Sequence, residues 1–271
     1  MESKVWLITG ASKGFGKIWA TAALNQGHKV AATARNINDL ADLTDQFGSA
    51  VLPLKLDVND REACFTAVEK AVDHFGRIDV LVNNAGFGHF GFVEEISEQA
   101  AREQIETNLF GSLWMIQAAI PHLRQQYSGH ILQVSSIGGV VAFPSLGIYH
   151  ASKWAVEGLC EALSQEVAMF NVKVTLIEPA GYATDWGGAS AKFSQPNEVY
   201  QPIRAAMMAN AGKLPIGDPH HTAEAILKVV AAENPPLRLF LGQMPYHVVM
   251  PVYEQRTALW NEWKSVAENA Q

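Results

Sequence analysis

A tyrosine and a lysine stand four residues apart in the stretch YHASK, from Tyr149 to Lys153. Residues at this spacing project from the same face of a helix. A free tyrosine has a pKa of about 10 and is a poor base at neutral pH. An ammonium about 4 Å away, at an effective dielectric constant of about 20, favours the phenolate by on the order of 4 kcal/mol, or roughly three pKa units. The pair is therefore suited to proton transfer near pH 7. The alternative is an ordinary Tyr and Lys on an exposed helical face, where the same four-residue spacing is common.

Further polar residues with unusual placements precede this pair in the chain. Ser136 follows Ser135 at the predicted end of a buried strand. Asn108 lies inside a helical pattern with Gly111 three residues on, and both residue types are poor in helix interiors. A broken local preference often marks a functional site, and a solvent-facing asparagine is the alternative.

A glycine-rich turn, TGASKGFG from Thr9 to Gly16, directly follows the first predicted strand. Gly10 allows a tight turn, Gly14 lets the backbone approach a phosphate, and Gly16 lets the helix pack on the strand. The following helix presents unpaired N–H groups and the positive end of its dipole to a pyrophosphate. This placement favours a dinucleotide site over an ordinary strand-to-helix turn.

The segments that must position these residues alternate between short β-rich runs and longer helical patterns. Strands that are apolar on both faces and alternate with helices indicate a parallel sheet covered on both sides. The order predicts an α/β doubly wound Rossmann fold with a mostly parallel seven-stranded sheet, in a single domain of residues 1–271. The predicted strands are KVWLIT, KVAATA, VLPLKLDV, IDVLVNNAG, GHILQVSS, VKVTLIEP and LRLFLG.

Residues 185–217 interrupt this alternation. They are rich in Gly, Ala, Ser, Asn and Pro and include a short helical run that contains Met207 and Met208. The segment predicts either a mobile substrate lid or a packed helical excursion. Regular structure resumes at Asp218, a good N-cap, and the tail from Val252 onward predicts an amphipathic helix.

The composition narrows the class of protein. The chain has 271 residues, a net charge of -7 and a pI of about 5.7, which argues against a nucleic-acid binder. Two cysteines without a C-x-x-C motif, Cys64 and Cys160, predict buried thiols in a reducing compartment. No leader pattern or membrane-spanning apolar run is present, so we expect a cytoplasmic protein without a membrane partner. The adjacent His220 and His221 have poor metal-binding geometry, and we predict no metal site.

The ordered set of motifs resembles the single-domain branch of the short-chain dehydrogenase/reductase family. The glycine turn has that family's T-G-x-x-x-G-x-G spacing, and the resemblance runs from about Lys4 to Thr184. The remaining motifs, in the family's order, are LDV with Asp57, NNAG from Asn83 to Gly86, ETNLFG with Asn108, VSSIGG with Ser136, YHASK, and PAGYAT after the sixth strand.

The resemblance implies roles for four residues. Tyr149 would give its proton to a carbonyl oxygen as hydride arrives from a nicotinamide, and it would act as the base in the oxidative direction. Ser136 would polarise that carbonyl, with Ser135 as its rival for the role. Lys153 would shift the pKa of Tyr149 and bind the nicotinamide ribose. Asn108 would help to hold a water next to the lysine.

The resemblance also implies a nicotinamide cofactor. Strand two ends in Thr33, Ala34 and Arg35, without the carboxylate that holds the ribose 2′-OH of NAD. Arg35 and Lys13 suit a 2′-phosphate, so we predict NADP(H) over NAD(H), with solvated surface cations as the alternative. The implied cofactor contacts are Gly10, Ser12, Lys13, Gly14, Phe15, Gly16, Arg35, Asp57, Val58, Asn84, Ala85, Gly86, Tyr149, Lys153, Pro179 and Thr184.

One position departs from the family pattern. Ala180 occupies the place of the glycine after the sixth strand, and Gly181 follows it, whereas Pro179 and Thr184 fit. The resemblance implies that Thr184 contacts the nicotinamide carboxamide.

The expected substrate walls are mostly apolar or aromatic and indicate a hydrophobic ketone, aldehyde or alcohol. The alternatives are a 3-oxoacyl-type reductase, a hydroxysteroid- or retinol-type dehydrogenase, and a non-catalytic NADP-binding regulator. Relatives commonly pair through the helices that carry Asn108 and Tyr149, which implies a homodimer or homotetramer. The expected substrate contacts are Ser136, Phe87, His89, Phe143, Tyr182 and Trp186.

Overall fold

The computed structural model describes residues 2–188, 190–211 and 216–270. Across these residues, seven strands form one all-parallel sheet in the order β3-β2-β1-β4-β6-β7-β9, and β5 and β8 form a separate two-stranded sheet. The strands are β1 (Val5–Ile8), β2 (Lys29–Ala34), β3 (Val51–Lys55), β4 (Val80–Asn83), β5 (His89–Phe90), β6 (Gly129–Val134), β7 (Val172–Pro179), β8 (Lys192–Phe193) and β9 (Arg238–Leu241). The doubly wound fold is confirmed, and its large sheet is wholly parallel where we predicted a mostly parallel one.

The helices cover both faces of the sheet. Alternate residues of a strand point to opposite faces, so Leu7 joins one buried apolar cluster while Trp6 and Ile8 join the other. The Leu7 cluster includes residues of α3, α5 and α6, and the other includes residues of α1, α2 and α8. The helices are α1 (Gly14–Asn25), α2 (Ala41–Phe47), α3 (Arg61–Phe75), α4 (Glu98–Ile105), α5 (Gly111–Gln126), α6 (Gly147–Val167), α7 (Gln201–Ala211), α8 (Thr222–Ala231), α9 (Met244–Glu262) and α10 (Lys264–Glu268).

The strand order reverses between β1 and β4. Strand β1 pairs with β2 on one side and with β4 on the other, where Ile8 lies opposite Val82. A reversal of this kind opens a crevice at the carboxyl ends of the two strands, because their following connections leave in opposite directions. The glycine-rich turn after β1 and the NNAG motif after β4 therefore meet at one place.

The tail helix begins earlier than predicted. Helix α9 begins at Met244 rather than Val252, with Pro245 in its first turn, where the missing N–H of proline costs nothing. Val249 packs in a small apolar cluster with the loop after β6. Trp260 and Trp263 are exposed, so the predicted amphipathic face is not buried in this chain beyond the first half of α9.

The predicted lid, 185–217, includes residues 189 and 212–215, which lie outside the described residues. Its described part holds β8 and α7 and packs on the loop after β5. The Tyr200 ring stacks on Phe92 with centroids 4.5 Å apart, and Arg204 forms an ion pair with Glu95. These contacts favour the packed excursion over the mobile lid for this part of the segment.

Candidate active site

A cavity of about 1010 Å³ lies at the carboxyl ends of the parallel strands. Three residues predicted for the site do not line it, namely Gly16, His89 and Asn108. The predicted residues that do line it are Gly10, Ser12, Lys13, Gly14, Phe15, Arg35, Asp57, Val58, Asn84, Ala85, Gly86, Phe87, Ser136, Phe143, Tyr149, Lys153, Pro179, Tyr182, Thr184 and Trp186.

The glycine-rich turn contains backbone conformations that residues other than glycine adopt only with strain. Gly10 has φ +65 and Gly14 has φ +54, both in the left-handed region. A Cβ on Gly16 would lie 2.6 Å from Asn84 Nδ2, so Gly16 permits the close packing of α1 and does not face the cavity. Asn84 Nδ2 donates to the carbonyls of Thr9 at 2.9 Å and Gly10 at 3.0 Å, which ties the turn to the end of β4.

The start of α1 is suited to a pyrophosphate. Lys13 occupies the N-cap position, and its side chain makes no capping hydrogen bond to the helix. The first N–H groups of α1 therefore keep their donor capacity, and the two left-handed glycines leave room for an anion beside them. These features fit a dinucleotide, which Gly10, Ser12, Gly14 and the Asn84–Gly86 loop would hold.

Two cations and two aspartates also line the cavity. Arg35 is exposed at its edge, and Asp57 lines it after β3. Lys13 Nζ lies 3.4 Å from Asp185 Oδ2, with both side chains more than half exposed. Lys13 therefore has a carboxylate partner that sequence reasoning did not identify, while Arg35 faces the cavity as predicted.

Tyr149 and Lys153 are both buried in α6. Lys153 Nζ donates to the Val134 carbonyl at 2.9 Å and lies 5.8 Å from the Tyr149 ring centroid. Burial raises the pKa of Tyr149 to about 12, against the lowering effect of a hydrogen bond with Ser136. Burial lowers the pKa of Lys153 to about 8, against the raising effect of the Glu157 charge. The prediction that Lys153 brings the pKa of Tyr149 near 7 is therefore wrong for this geometry, because desolvation of the phenolate outweighs the favourable interactions.

The two serines after β6 have different neighbours. Ser136 Oγ accepts from the Gly138 N–H at 3.0 Å and donates to the Pro179 carbonyl at 3.5 Å. It also contributes to the pKa of Tyr149, as described above. Ser135 is buried and lies beside Glu157 instead. The hydroxyl of Ser136 is thus the one that the structure brings to Tyr149.

Asn108 lies behind the cavity wall in a π-helical turn, Glu106–Phe110, between α4 and α5. Its Nδ2 donates to the Phe87 carbonyl at 3.1 Å and to Ser152 Oγ at 3.0 Å, and its Oδ1 accepts from the Phe87 N–H at 3.1 Å. These bonds join the loop after β4 to α6 and so fix Phe87 next to that helix.

The predicted substrate residues divide into two groups. The Trp186 ring lies 4.9 Å from the Tyr149 ring, centroid to centroid, and forms part of the cavity wall. His89 is outside the cavity, because β5 pairs with β8 and directs His89 Nε2 to Ser194 Oγ at 2.8 Å. His89 is therefore corrected from a substrate contact to a residue of the small sheet.

Sequence reasoning missed His150 as a wall residue. His150 Nδ1 accepts from the Phe143 N–H at 3.2 Å, and burial lowers the pKa of His150 to about 4. The imidazole is therefore neutral near pH 7, with Nε2 as the protonated nitrogen. The sequence feature that could have indicated this role is the position of His150 next to Tyr149 in the first turn of α6, from which a side chain can reach the cavity.

Sequence reasoning also missed an ion pair at the cavity wall. Lys192 Nζ lies 2.6 Å from Glu103 Oε2 and 4.8 Å from the Phe87 ring centroid. Nothing in the sequence spacing indicates this pair, because the two residues come together only through β8 and α4.

No group of three potential metal ligands occurs among the residues that the structure describes. Nor does any described helix have the length and apolar character needed to traverse a bilayer. Cys64 and Cys160 are free and buried, as predicted.

The sequence profile described as short chain dehydrogenase matches residues 4–194. The chain belongs to the short-chain dehydrogenase/reductase family. It is therefore an NAD(P)-dependent oxidoreductase that acts on CH–OH or carbonyl groups, and the non-catalytic alternative is set aside.

Two curated relatives are similar to this chain over most of their length. The chain is 40% identical to the oxidoreductase BOA17 of Botryotinia fuckeliana over 269 residues, which is 98% of each chain. It is 38% identical to the 3-ketodihydrosphingosine reductase of Bacteroides thetaiotaomicron over 248 residues, which is 90% of each chain.

Solved structures are similar as well, and the first two below are described as short-chain dehydrogenases. One from Streptomyces avermitilis has 35% identity and a TM-score of 0.92, covering 100% of this chain and 99% of that one. One from Burkholderia cenocepacia, in complex with NADP, has 28% identity and a TM-score of 0.77, covering 96% and 97%. The 3-ketoacyl-(acyl-carrier-protein) reductase of Brucella melitensis, complexed with NADH, has 27% identity and a TM-score of 0.76, covering 89% and 97%.

Proposed function

We propose that this enzyme reduces a hydrophobic ketone or aldehyde with NADPH and oxidises the corresponding alcohol in the reverse direction. The observation that carries the proposal is the meeting of Tyr149, Ser136 and Lys153 at one cavity, which also contains the glycine-rich turn after β1.

The proposed chemistry assigns the proton to Tyr149. The cofactor, when bound, supplies the hydride. Because burial raises the pKa of Tyr149 to about 12, its hydroxyl carries a proton throughout the neutral range and is ready to donate it to a carbonyl oxygen. Ser136, beside that hydroxyl, would donate a second hydrogen bond to the same oxygen and so stabilise developing negative charge.

The ammonium of Lys153 supports this transfer. It lies near the Tyr149 ring and would lower the energy of the phenolate that forms when the proton leaves. Lys153 is also a cavity-lining donor that would hold the nicotinamide ribose.

The walls near Tyr149 support an apolar substrate. Phe87, Phe143, Leu146 and Trp186 line this part of the cavity, and their side chains offer apolar contact. The similarity to a 3-ketodihydrosphingosine reductase supports a long-chain ketone within this class.

We further propose a preference for NADP(H). Arg35 follows β2 where an NAD-specific fold would place a carboxylate, and a guanidinium suits a 2′-phosphate. Since similar structures hold NADP or NADH, kcat/KM must be measured with both cofactors on one substrate. We expect a higher value with NADPH, and equal values or a preference for NADH would refute it.

Tyr149→Phe tests the function itself. This variant removes the donated proton, so we expect turnover of a panel of hydrophobic ketones and aldehydes to fall by about 10²-fold or more. NADPH binding, followed by fluorescence, and the melting temperature should change little. Tyr127→Phe is the control, because Tyr127 is exposed and outside the cavity. A folded Tyr149→Phe enzyme with wild-type turnover would refute the assignment.

A further inference from the structure

A group of buried charged residues lies beyond Tyr149 and Lys153 on the same face of α6. Glu157 is one turn beyond Lys153. Its Oε2 accepts from Arg238 Nε of β9 at 2.9 Å, and Arg238 Nη2 donates to Glu161 Oε2 at 2.7 Å. We call Glu157, Glu178 and Arg238 the carboxyl cluster.

Glu178 of β7 completes the carboxyl cluster. Its Oε1 lies 3.6 Å from Arg238 Nε, farther than the oxygen of Glu157. The side chains of Glu157 and Glu178 are 5% and 0% exposed, respectively. Among the described residues, both carboxyls take Arg238 as their ion-pair partner, so one guanidinium faces two buried acids.

Two buried carboxyls that share one cation cannot both ionise easily. Burial first, and then the charge of Glu157, raise the pKa of Glu178 to about 8. Burial also raises the pKa of Glu157, whereas its neighbours Ser135 and Arg238 lower it. The shorter contact of Glu157 with Arg238 therefore favours ionisation of Glu157 over ionisation of Glu178.

The carboxyl cluster touches the loops that carry the catalytic groups. A Cβ on Gly139 would lie 2.6 Å from Ser135 Oγ and 3.0 Å from Glu157 Cγ, so Gly139 lets the loop after β6 pack on Glu157. Ser135 directly precedes Ser136 in this loop. Glu178 directly precedes Pro179, whose carbonyl accepts from Ser136.

We propose that Glu157 is a positioning residue of the reaction, whose carboxylate, paired with Arg238 one helical turn beyond Lys153, keeps Lys153 in its ammonium form and supports the Ser136 loop. This inference rests on the proposed function, because Lys153 acts there as an ammonium. Burial of the Lys153 ammonium is otherwise unfavourable, because within the described part of the chain its hydrogen-bond acceptor is the Val134 carbonyl alone.

The groups that face Lys153 and Glu157 come from four elements. Helix α6 contributes Tyr149 beside Lys153 and Cys160 beside Glu157, and Ser135, directly after β6, lies beside Glu157. Strand β7 contributes Glu178 and β9 contributes Arg238. Along α6, the carboxylate one turn from Lys153 is that of Glu157, whereas Glu161 is a further turn away.

The experiment compares Glu157→Gln with Glu161→Gln. Both variants remove a carboxylate that contacts Arg238, but Glu161 is exposed and distant from Lys153. The measurements are the pH profile of kcat/KM for carbonyl reduction and the pH dependence of the NADPH dissociation constant by fluorescence. We expect Glu157→Gln to move the alkaline limb of both to lower pH by about one unit, as loss of a nearby charge at an intermediate dielectric implies.

Further variants separate charge from shape. Glu157→Asp keeps the charge, so its alkaline limb should lie within a few tenths of a pH unit of the wild-type limb. Glu161→Gln should leave the alkaline limb at its wild-type pH. Glu178→Gln replaces a neutral carboxyl by a neutral amide and should also leave it in place below pH 8. The proposal would be overturned if the alkaline limbs of Glu157→Gln and Glu161→Gln had the same apparent pKa. A shift of the alkaline limb by one pH unit in Glu178→Gln would also overturn it.

The outcomes distinguish this inference from the proposed function. Absence of turnover by the wild-type enzyme would refute the function, whereas the binding profile would still report on Lys153. Wild-type turnover with an unmoved limb in Glu157→Gln would refute the positioning role alone.

Discussion

Burial pushes the ionisation of Tyr149 and Lys153 in opposite directions. It raises the pKa of Tyr149 to about 12 and lowers the pKa of Lys153 to about 8. Both shifts favour the neutral forms, as desolvation requires. At neutral pH the tyrosine therefore keeps its proton, and the lysine is the group of the two that first changes its charge as pH rises.

The pH profile of the wild-type enzyme follows from these shifts. We expect kcat/KM for carbonyl reduction to be level between about pH 6 and 7 and to fall as Lys153 loses its proton near pH 8. His150 adds no limb in this range, because burial lowers its pKa to about 4. Stopped-flow or steady-state rates across pH 5–10 would test this, and a limb with an apparent pKa near 6 would contradict it.

Most of the residues predicted from type and spacing line the cavity, but the direction of individual side chains was not predicted. Tyr149, Ser136 and Lys153 come together because their strand and helix follow from a strong periodic pattern. His89 points away because a two-residue strand pairs with another about a hundred residues later. The pKa of Tyr149 was mispredicted because spacing reveals a nearby charge but not the burial that opposes it.

At the scale of elements, the π-helical turn explains the two poor helix residues noted in the sequence. The extra residue in the turn directs Asn108 to Phe87 and Ser152. Gly111 then begins α5 against the loop after β3, where a Cβ would lie 2.7 Å from Val58 Cγ2. Helical propensity indicated an irregularity here, but its π-helical form depends on contacts from distant parts of the chain.

Gly111→Ala tests this close approach. The added methyl must displace Val58, so we expect the free energy of unfolding to fall by about 1–3 kcal/mol. Gly158→Ala is a matched control inside α6, because a Cβ there meets nothing within 4 Å. It should stabilise the protein by about 0.5–1 kcal/mol. Urea unfolding of both variants would measure these changes in the free energy of unfolding. Equal changes for the two substitutions would refute the packing argument.

At the scale of the whole molecule, one parallel sheet brings all the site loops to one edge. The alternation of strands and helices in the sequence predicted this sheet, because buried parallel strands are apolar on both faces. The carboxyl cluster was not predictable, since its members come from α6, β7 and β9 and share no local pattern. The homodimer or homotetramer implied by the resemblance stays a prediction.

Glu178 links the stability of the molecule to pH. Its pKa is raised in the folded protein from 4.5 to about 8, so the unfolded chain releases this proton first. Folding stability is therefore lost as pH rises from about 4.5 through about 8. Glu178→Gln has no such proton, and its stability relative to the wild type should increase between pH 5 and pH 8 by at least about 1 kcal/mol.

Thermal unfolding at the two pH values would measure this difference. For a chain of this size, about 1 kcal/mol corresponds to roughly 2–4 °C in melting temperature. Glu161→Gln is the comparison, since Glu161 is exposed. A constant difference between Glu178→Gln and the wild type at both pH values would show that Glu178 is ionised in the folded state.

Arg238 lies 81 residues after Glu157 in the sequence and is therefore synthesised later. During synthesis, every residue of the cavity near Tyr149 can leave the ribosome before the cation that balances the buried acids. A nascent chain that stops short of β9 would have to bury Glu157 and Glu178 unpaired or leave the edge of β7 open to water. Closure of the sheet at β7 is therefore coupled to docking of β9, which brings the cation that balances the buried acids.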